Sequence, residues 1–280
     1  MGIFDGVLIC SDWDGSLSCG RLAPGNEVCP ENRAAIRYFQ ENGGRFTVCS
    51  GRYPNYILSF RDQVAPNAAV IALNGALIVD PATQTPLREE TLDPSIFSYI
   101  DRVLDAFPYP AKFLQYPAGA GVSTTYTREE YERDREKIER IPCYKALLVT
   151  DDGEHGEILR DLGRKIIAGT GFEAARSWPI GLEFINRASN KGGAVRFLKE
   201  KTGADLLVTV GDYENDIPML EEADIGYAVA NAIDEVKAAA DRVTRRNNAE
   251  GAVAEIIGEI EKIRRKRNRR SRSLGGRRTV

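Results

Sequence analysis

A strand–helix alternation that stops near residue 80 and resumes near residue 186 is the feature that most limits how this chain folds. Residues 3–11, IFDGVLICS, form an apolar run that ends on acids, as a buried parallel strand does. PENRAAIRYFQEN (30–42) sets Ala34, Ala35, Tyr38 and Phe39 at helical spacing, with Pro30 in the first turn and Gly43-Gly44 as the stop. A short strand RFTVCSGR, a helix YPNYILSFRDQV and a strand AAVIALNGALIVD broken at Gly75 follow. From about residue 80 the texture changes, with Pro81, Pro86 and Pro94 at the start of the new block. A helix at 94–106, short strands AKFLQYP and GVSTTYT, a charged helix TREEYERDREKIER and a strand YKALLVTD are expected. GEILRDLGRKIIAG reads as an amphipathic helix with Ile158, Leu159, Leu162 and Ile166 on one face, and FEAARSWPIGLEFINR as two strands. After 186 helices and strands alternate again, ending in the helix GAVAEIIGEIEKI. The reading is an α/β fold in which residues 1–79 and 186–263 form one unit and an α+β block, 80–185, is inserted into it.

Composition narrows the function. Hydrophobic residues make 42% and charged residues 28% of 280, normal for a globular protein whose core needs no staples. No apolar run reaches the roughly 18 residues of a membrane span, and the start, MGIFDGVLICSDWDG, lacks the basic region of a secretory signal. The cysteines (Cys10, Cys19, Cys29, Cys49 and Cys143) are scattered without C-x-x-C spacing, which argues against a disulfide framework or zinc ribbon and for a reducing cytoplasm. The single histidine, His155, excludes poly-His metal sites and reads as an exposed loop residue. Residues 264–280 hold nine Lys or Arg and no acid, so residues 1–263 carry −12 against −3 for the whole chain. This tail reads as a disordered extension. Two other roles are open to it: nonspecific contact with nucleic acid or another polyanion, and folding back onto the acidic body.

Four short segments can carry chemistry. In Asp12-Trp13-Asp14-Gly15-Ser16-Leu17 the two acids lie two residues apart beyond a strand end, so their carboxylates face one way, where open α/β sheets bind ligands. Paired acids need a shared proton or a cation, and magnesium is the natural one; alone, the segment reads equally as a solvated acidic turn. Thr47-Val48-Cys49-Ser50-Gly51-Arg52 offers a hydroxyl and backbone N–H groups to a phosphate, or simply a helix cap. Lys191-Gly192-Gly193 opens a helix with a cation, or with a surface lysine. Gly211-Asp212-Tyr213-Glu214-Asn215-Asp216 follows the apolar strand LLVTV; Asp212 is placed to bind a metal and Asp216 to orient a neighbour.

In this order, the four segments resemble the four motifs of the haloacid dehalogenase superfamily. SDWDGSL looks like D-x-D-G-T-L, VCSGR like the Ser/Thr motif, NKGGAVRFL like the lysine motif and VGDYENDIPML like G-D-x-x-N-D. LNGALI and AVANAIDEVKAAADRVT are similar to the Cof-type branch, whose C2-type α+β cap is inserted between the second and third motifs. Ser16 in place of threonine and the bulky Trp13 depart from the pattern without removing a catalytic group.

The resemblance implies a Rossmann-like core and a Mg2+-dependent phosphatase acting on a small phosphorylated metabolite, a sugar phosphate first. Asp12 would be the nucleophile and Asp14 the acid and base. Asp12, the Asp14 carbonyl and Asp212 would hold the metal, with Asp216 behind them. Ser50, Gly51, Lys191 and Asn215 would hold the phosphate oxygens. A sugar phosphomutase and a non-catalytic binding module are the alternatives. The arginine-poor strands KFLQYP, GVSTTYT and YKALLVTD speak against the first, and the four intact motifs against the second.

Overall fold

The computed structural model describes residues 2–19 and 27–275. β1 (Val7–Ser11) is buried along its whole length, as an apolar strand covered on both faces must be. α1 (Pro30–Glu41) starts on Pro30 and turns Ile36 and Phe39 inward, leaving Tyr38 partly exposed. β2 (Arg45–Val48) and a short α2 (Pro54–Leu58) follow, the latter well short of the helix expected over 53–64. The run read as one broken strand is a hairpin of β3 (Val70–Ala72) and β4 (Leu77–Val79), turned by Asn74 at φ 59° and Gly75 at φ 107°. β5 (Pro86–Glu89) pairs with β4. The first unit therefore extends past residue 80, because β4 takes β5 as its next antiparallel partner.

The inserted unit holds α3 (Ile96–Ala106), β6 (Lys112–Pro117), β7 (Thr124–Tyr126), α4 (Arg128–Glu139), β8 (Cys143–Val149), α5 (Gly153–Ile166), β9 (Phe172–Trp178) and β10 (Gly181–Asn186). Its five strands form an antiparallel sheet in the order β7-β6-β8-β10-β9. Phe113, Ala146, Leu148, Leu182 and Phe184 pack with Ile96, Phe97, Ile100 and Leu159 of the helices into a separate core. The strand period of two sends Leu114, Tyr116, Lys145 and Glu183 to the opposite face. Ile158, expected on the inner face of α5, is exposed. His155 sits in the first turn of α5, stacked on Tyr109 at 3.7 Å.

The chain then returns through α6 (Lys191–Thr202), β11 (Leu206–Gly211), α7 (Ile217–Glu221), β12 (Ile225–Ala228), α8 (Asp234–Ala239), β13 (Arg242–Val243) and α9 (Ala252–Gly275). The main sheet is wholly parallel, in the order β13-β12-β11-β1-β2. The chain leaves β1 toward β2 on one side and returns on the other at β11. The carboxyl ends of β1 and β11 therefore flank a topological switch point, where such sheets open a crevice. All five cysteines are free and buried. Among the described residues no helix is long and apolar enough to cross a membrane.

The boundary drawn at 263 falls inside α9, which continues to Gly275 rather than ending in a disordered tail; residues 276–280 lie outside the described residues. Arginine and lysine are good helix formers, and the first of them is anchored. Buried Arg264 donates to Asp205 at 2.5 and 3.1 Å and to the Asp5 carbonyl at 3.2 Å, while Arg265 pairs with Glu261 one turn back at 2.6 Å. Asp205 immediately precedes β11, at the opposite end of the strand from Asp212, so this contact with the acidic body is remote from the crevice. A chain ending at Ile263 should lose about 1 kcal/mol of stability in urea titration, because a charged hydrogen bond to a half-exposed partner goes with Arg264. A chain ending at Arg267 should unfold like the full-length protein.

Candidate active site

Asp12 is the first residue beyond β1, held there by its N–H bonding the Val210 carbonyl of β11 at 2.8 Å. Its side chain is almost wholly buried. Lys191, at the start of α6, is fully buried and reaches Asp12 Oδ1 at 2.5 Å and Asp216 Oδ1 at 2.6 Å. Asn190 caps that helix by accepting from the Gly193 N–H. The other oxygen of Asp216 accepts from the N–H groups of Asp212 and Tyr213, at 2.8 and 3.1 Å, and so shapes the loop after β11. Ser16 Oγ donates to Asp212 at 2.6 Å. Gly15 between them has φ +87°, and a Cβ there would lie 2.4 Å from an Asp212 oxygen, so both backbone and space demand glycine.

The charge balance of this cluster is uneven. Asp12, Asp212 and Asp216 each offer a carboxylate oxygen within 4.8 Å of the others, against the single ammonium of Lys191. Burial pushes the Asp12 carboxyl well above the usual range, helped by Asp216 and Asp212 and opposed by Lys191. Burial and then Asp216 push Asp212 up to about 7. Burial works against the Lys191 ammonium, but Asp12 and Asp216 outweigh it and hold its pKa well above normal. A surplus of buried negative charge among hard oxygen donors suits a divalent cation.

Asp14 faces the same cavity, and its carboxylate is gripped by the Arg52 fork at 2.9 and 3.2 Å. Arg52 lies over the Tyr56 ring at 4.9 Å, and its N–H donates to Ser50 Oγ. The cavity, about 540 Å³, is walled on the core side by Asp12, Asp14, Gly51, Arg52, Asp212 and Asn215. The inserted unit supplies Leu114, Tyr116, Lys145, Ser177, Trp178 and Glu183. Ser50, Lys191 and Asp216 are not on this wall and are buried behind it. Of the residues read from sequence, the structure thus groups Asp12, Asp14, Gly51, Asp212 and Asn215 around one space, with the other three supporting them. Trp13 turns away into the core against Phe60, at 5.1 Å between ring centroids.

Several residues of the site went unread. Glu183 accepts from Lys145 at 2.8 Å, from Asn74 at 2.5 Å and from Ser177, and Asn215 donates to Asn74 at 3.1 Å. Lys145 also lies 4.4 Å over the Tyr116 ring. A charged residue inside an apolar strand, as in YKALLVTD and GLEFIN, was the available signal, since such residues are seldom buried unless paired. Arg52 was visible beside Ser50 and Gly51, but nothing local connects it to Asp14.

An acid pair at the switch point of a parallel sheet, a buried lysine behind it and an inserted unit roofing the cavity define a phosphoester hydrolase. The chain belongs to the haloacid dehalogenase-like hydrolases, whose family profile matches residues 9–257, and within them to the Cof-type branch; it is a phosphatase. It is 27% identical over 281 residues to the phosphatase YwpJ of Bacillus subtilis, covering 87% of this chain and 96% of that one. It is 24% identical over 271 residues to the pyridoxal phosphate phosphatase YbhA of Escherichia coli, covering 89% and 97%. A haloacid dehalogenase-like hydrolase from B. subtilis superposes with a TM-score of 0.70 at 25% identity, covering 90% of this chain and 98% of that one.

Two outcomes follow. Asp212 ionises at 3.8 unperturbed and at about 7 in the fold, so the fold favours its protonated form. That stabilisation is complete below the lower value, declines between them and is gone above the higher. The melting temperature of EDTA-treated protein should therefore fall as pH rises from 5 to 8, and Asp212→Asn should flatten the dependence. Arg52→Ala should lower kcat by about tenfold for an alkyl phosphate by releasing Asp14 from its position. The loss should be smaller for p-nitrophenyl phosphate, whose leaving group needs little protonation.

Proposed function

We propose that the protein hydrolyses a phosphorylated sugar through an aspartyl-phosphate intermediate, with Mg2+ bound among its acids. The observation that carries this reading is the buried Asp12 carboxylate, oriented by Lys191 at 2.5 Å, on a cavity wall it shares with Asp14. An Asp12 oxygen attacks phosphorus while the bond to the leaving oxygen breaks, and Asp14 gives that oxygen its proton. Water then attacks the same phosphorus and gives a proton to Asp14 while the bond from phosphorus to the Asp12 oxygen breaks, so phosphate leaves and both acids are restored. Lys191 cancels one negative charge behind the nucleophile and keeps its second oxygen from turning away. Asp12 and Asp212, with the Asp14 carbonyl, would hold Mg2+, which when bound screens the anionic nucleophile from the anionic substrate. Asp216 orients the Asp212 loop through its two N–H contacts. Gly51 and Asn215 would receive the phosphoryl oxygens, with Ser50 supporting them.

The opposite wall supports a sugar as leaving group. Trp178 and Leu114 bring apolar surface to it, and Lys145, Ser177 and Glu183, hydrogen-bonded to one another, form a fixed polar patch beside them. A polyhydroxylated ring has both kinds of surface. A mutase would need free cations to grip a second phosphate. Among the described residues, the cations that line the cavity are Arg52 on the core side and Lys145 opposite, both already paired with carboxylates.

Phosphate release from a panel of sugar phosphates, with and without EDTA, tests the reading: release should stop with EDTA and return with Mg2+. Asp12→Asn should show no turnover, since an amide is no nucleophile. Asp14→Asn should lose steady-state turnover yet still accept phosphate slowly from substrates with good leaving groups, visible as a stoichiometric burst. Wild-type rates in Asp12→Asn would end the covalent mechanism.

A further inference from the structure

We infer that Glu214 is a positioning residue that latches the inserted unit over the cavity, so that closure and arrangement of the Asp212–Asp216 loop occur together. Glu214 lies in that loop with its side chain 5% exposed, yet it does not line the cavity. Its partners all come from the inserted unit. Arg176 of β9 donates to Oε1 from Nε at 3.0 Å and from Nη2 at 2.6 Å. Arg164 of α5 donates to Oε2 at 2.9 Å, and Arg160, one turn earlier, reaches Oε1 at 3.3 Å. None of these arginines lines the cavity, so they are committed to the loop rather than to a ligand.

Their positions are themselves fixed. Glu157 accepts from Arg176 at 2.6 Å and pairs with Arg160 at 2.7 Å, and Asp161 pairs with Arg160 at 2.9 Å. Planar guanidinium forks make such contacts directional. A buried carboxylate is tolerated while its partners are in place, and is left uncompensated and solvent-seeking when they withdraw. The contact is thus a two-state one. Asp216 binds the N–H groups of Asp212 and Tyr213, so Glu214 is pinned within the same short loop that presents Asp212 and Asn215 to the cavity. Units joined by short connections move against each other unless their interface holds them.

The inference rests on the inserted unit acting as a cover for substrate. Its test compares the wild type, Glu214→Gln, the variant Arg160→Gln/Arg164→Gln/Arg176→Gln, and the combination. Small-angle X-ray scattering and steady-state hydrolysis of p-nitrophenyl phosphate across a Mg2+ titration are the readouts. Both parent variants should show a larger radius of gyration and a kcat/KM lower by about 10- to 100-fold, since small misplacements of catalytic groups cost that much. The combination should be no worse than either, and the Mg2+ concentration for half-activity should rise alike in all three, because the loop that carries Asp212 loses its arrangement when the unit above it is released. Arg164→Gln alone, at a half-exposed position, should show a smaller loss of the same kind and serves if the triple variant does not fold. A defect in Glu214→Gln that the arginine variants do not reproduce would place its action inside the loop and overturn the latch. Wild-type scattering and rates in all variants would do the same. An inactive wild type would instead count against the phosphatase substrate reading, while scattering would still report on the latch.

Discussion

The ammonium of Lys191, buried between Asp12 and Asp216, is the interaction on which the site depends. Two carboxylates brought this close in a dry environment repel each other and resist ionisation. Lys191 opposes the burial that favours the protonated form of Asp12, and by holding one oxygen of Asp216 it leaves the other to bind the loop after β11. Breaking a buried pair of this kind costs about 3–5 kcal/mol, because it leaves a charge without a partner. The lysine therefore ties Asp12 to the loop after β11 through one set of contacts. The remaining excess of negative charge, carried by Asp12 and Asp212, is what makes the place attractive to a divalent cation.

The inserted unit solves a different problem. A sheet with helices on one face leaves the other face to be covered or used. Here that face carries Lys145, Glu183, Tyr116 and Leu114 toward the core, and the polar ones are satisfied by one another and by Asn74. Because Asn74 also meets Asn215, a continuous chain of hydrogen bonds crosses from the core side of the cavity to its roof. The ionic contacts of Glu214 cross at a second place, outside the cavity. Further contacts attach the roof elsewhere, among them those of the Tyr53 hydroxyl with the Pro117 and Val122 carbonyls at 3.0 and 3.2 Å.

Much of the architecture was legible. The buried run before Asp12, the apolar strand before Asp212 and the change of texture between residues 80 and 186 are local or periodic signals, and each marks an element or a block that exists. The misreadings were also local in origin. Residues 68–80 looked like one interrupted strand because Asn74 can take a left-handed conformation that no propensity demands. The tail looked unable to order itself because it lacks apolar residues, whereas α9 is extended by helix propensity and by the pairing of Arg264 with Asp205. Ile158 looked inward because helical periodicity marks a face without saying how wide the cover is.

By itself, the sequence determined which residues stand at strand ends and helix starts. Asp12, Asp14, Ser50, Lys191 and Asp212 could be placed there because side-chain alternation and turn chemistry act over a few residues, but only the order of their four segments, in its resemblance to a known family, set them apart from an acidic turn, a helix cap and a surface lysine. Only the tertiary structure decided the partners: Arg52 for Asp14, Asn74 for Glu183 and the arginines of α5 and β9 for Glu214. Those contacts join residues far apart in the chain, most of them in two units with separate cores. Their geometry depends on how one unit is set against the other, and no short segment carries that information.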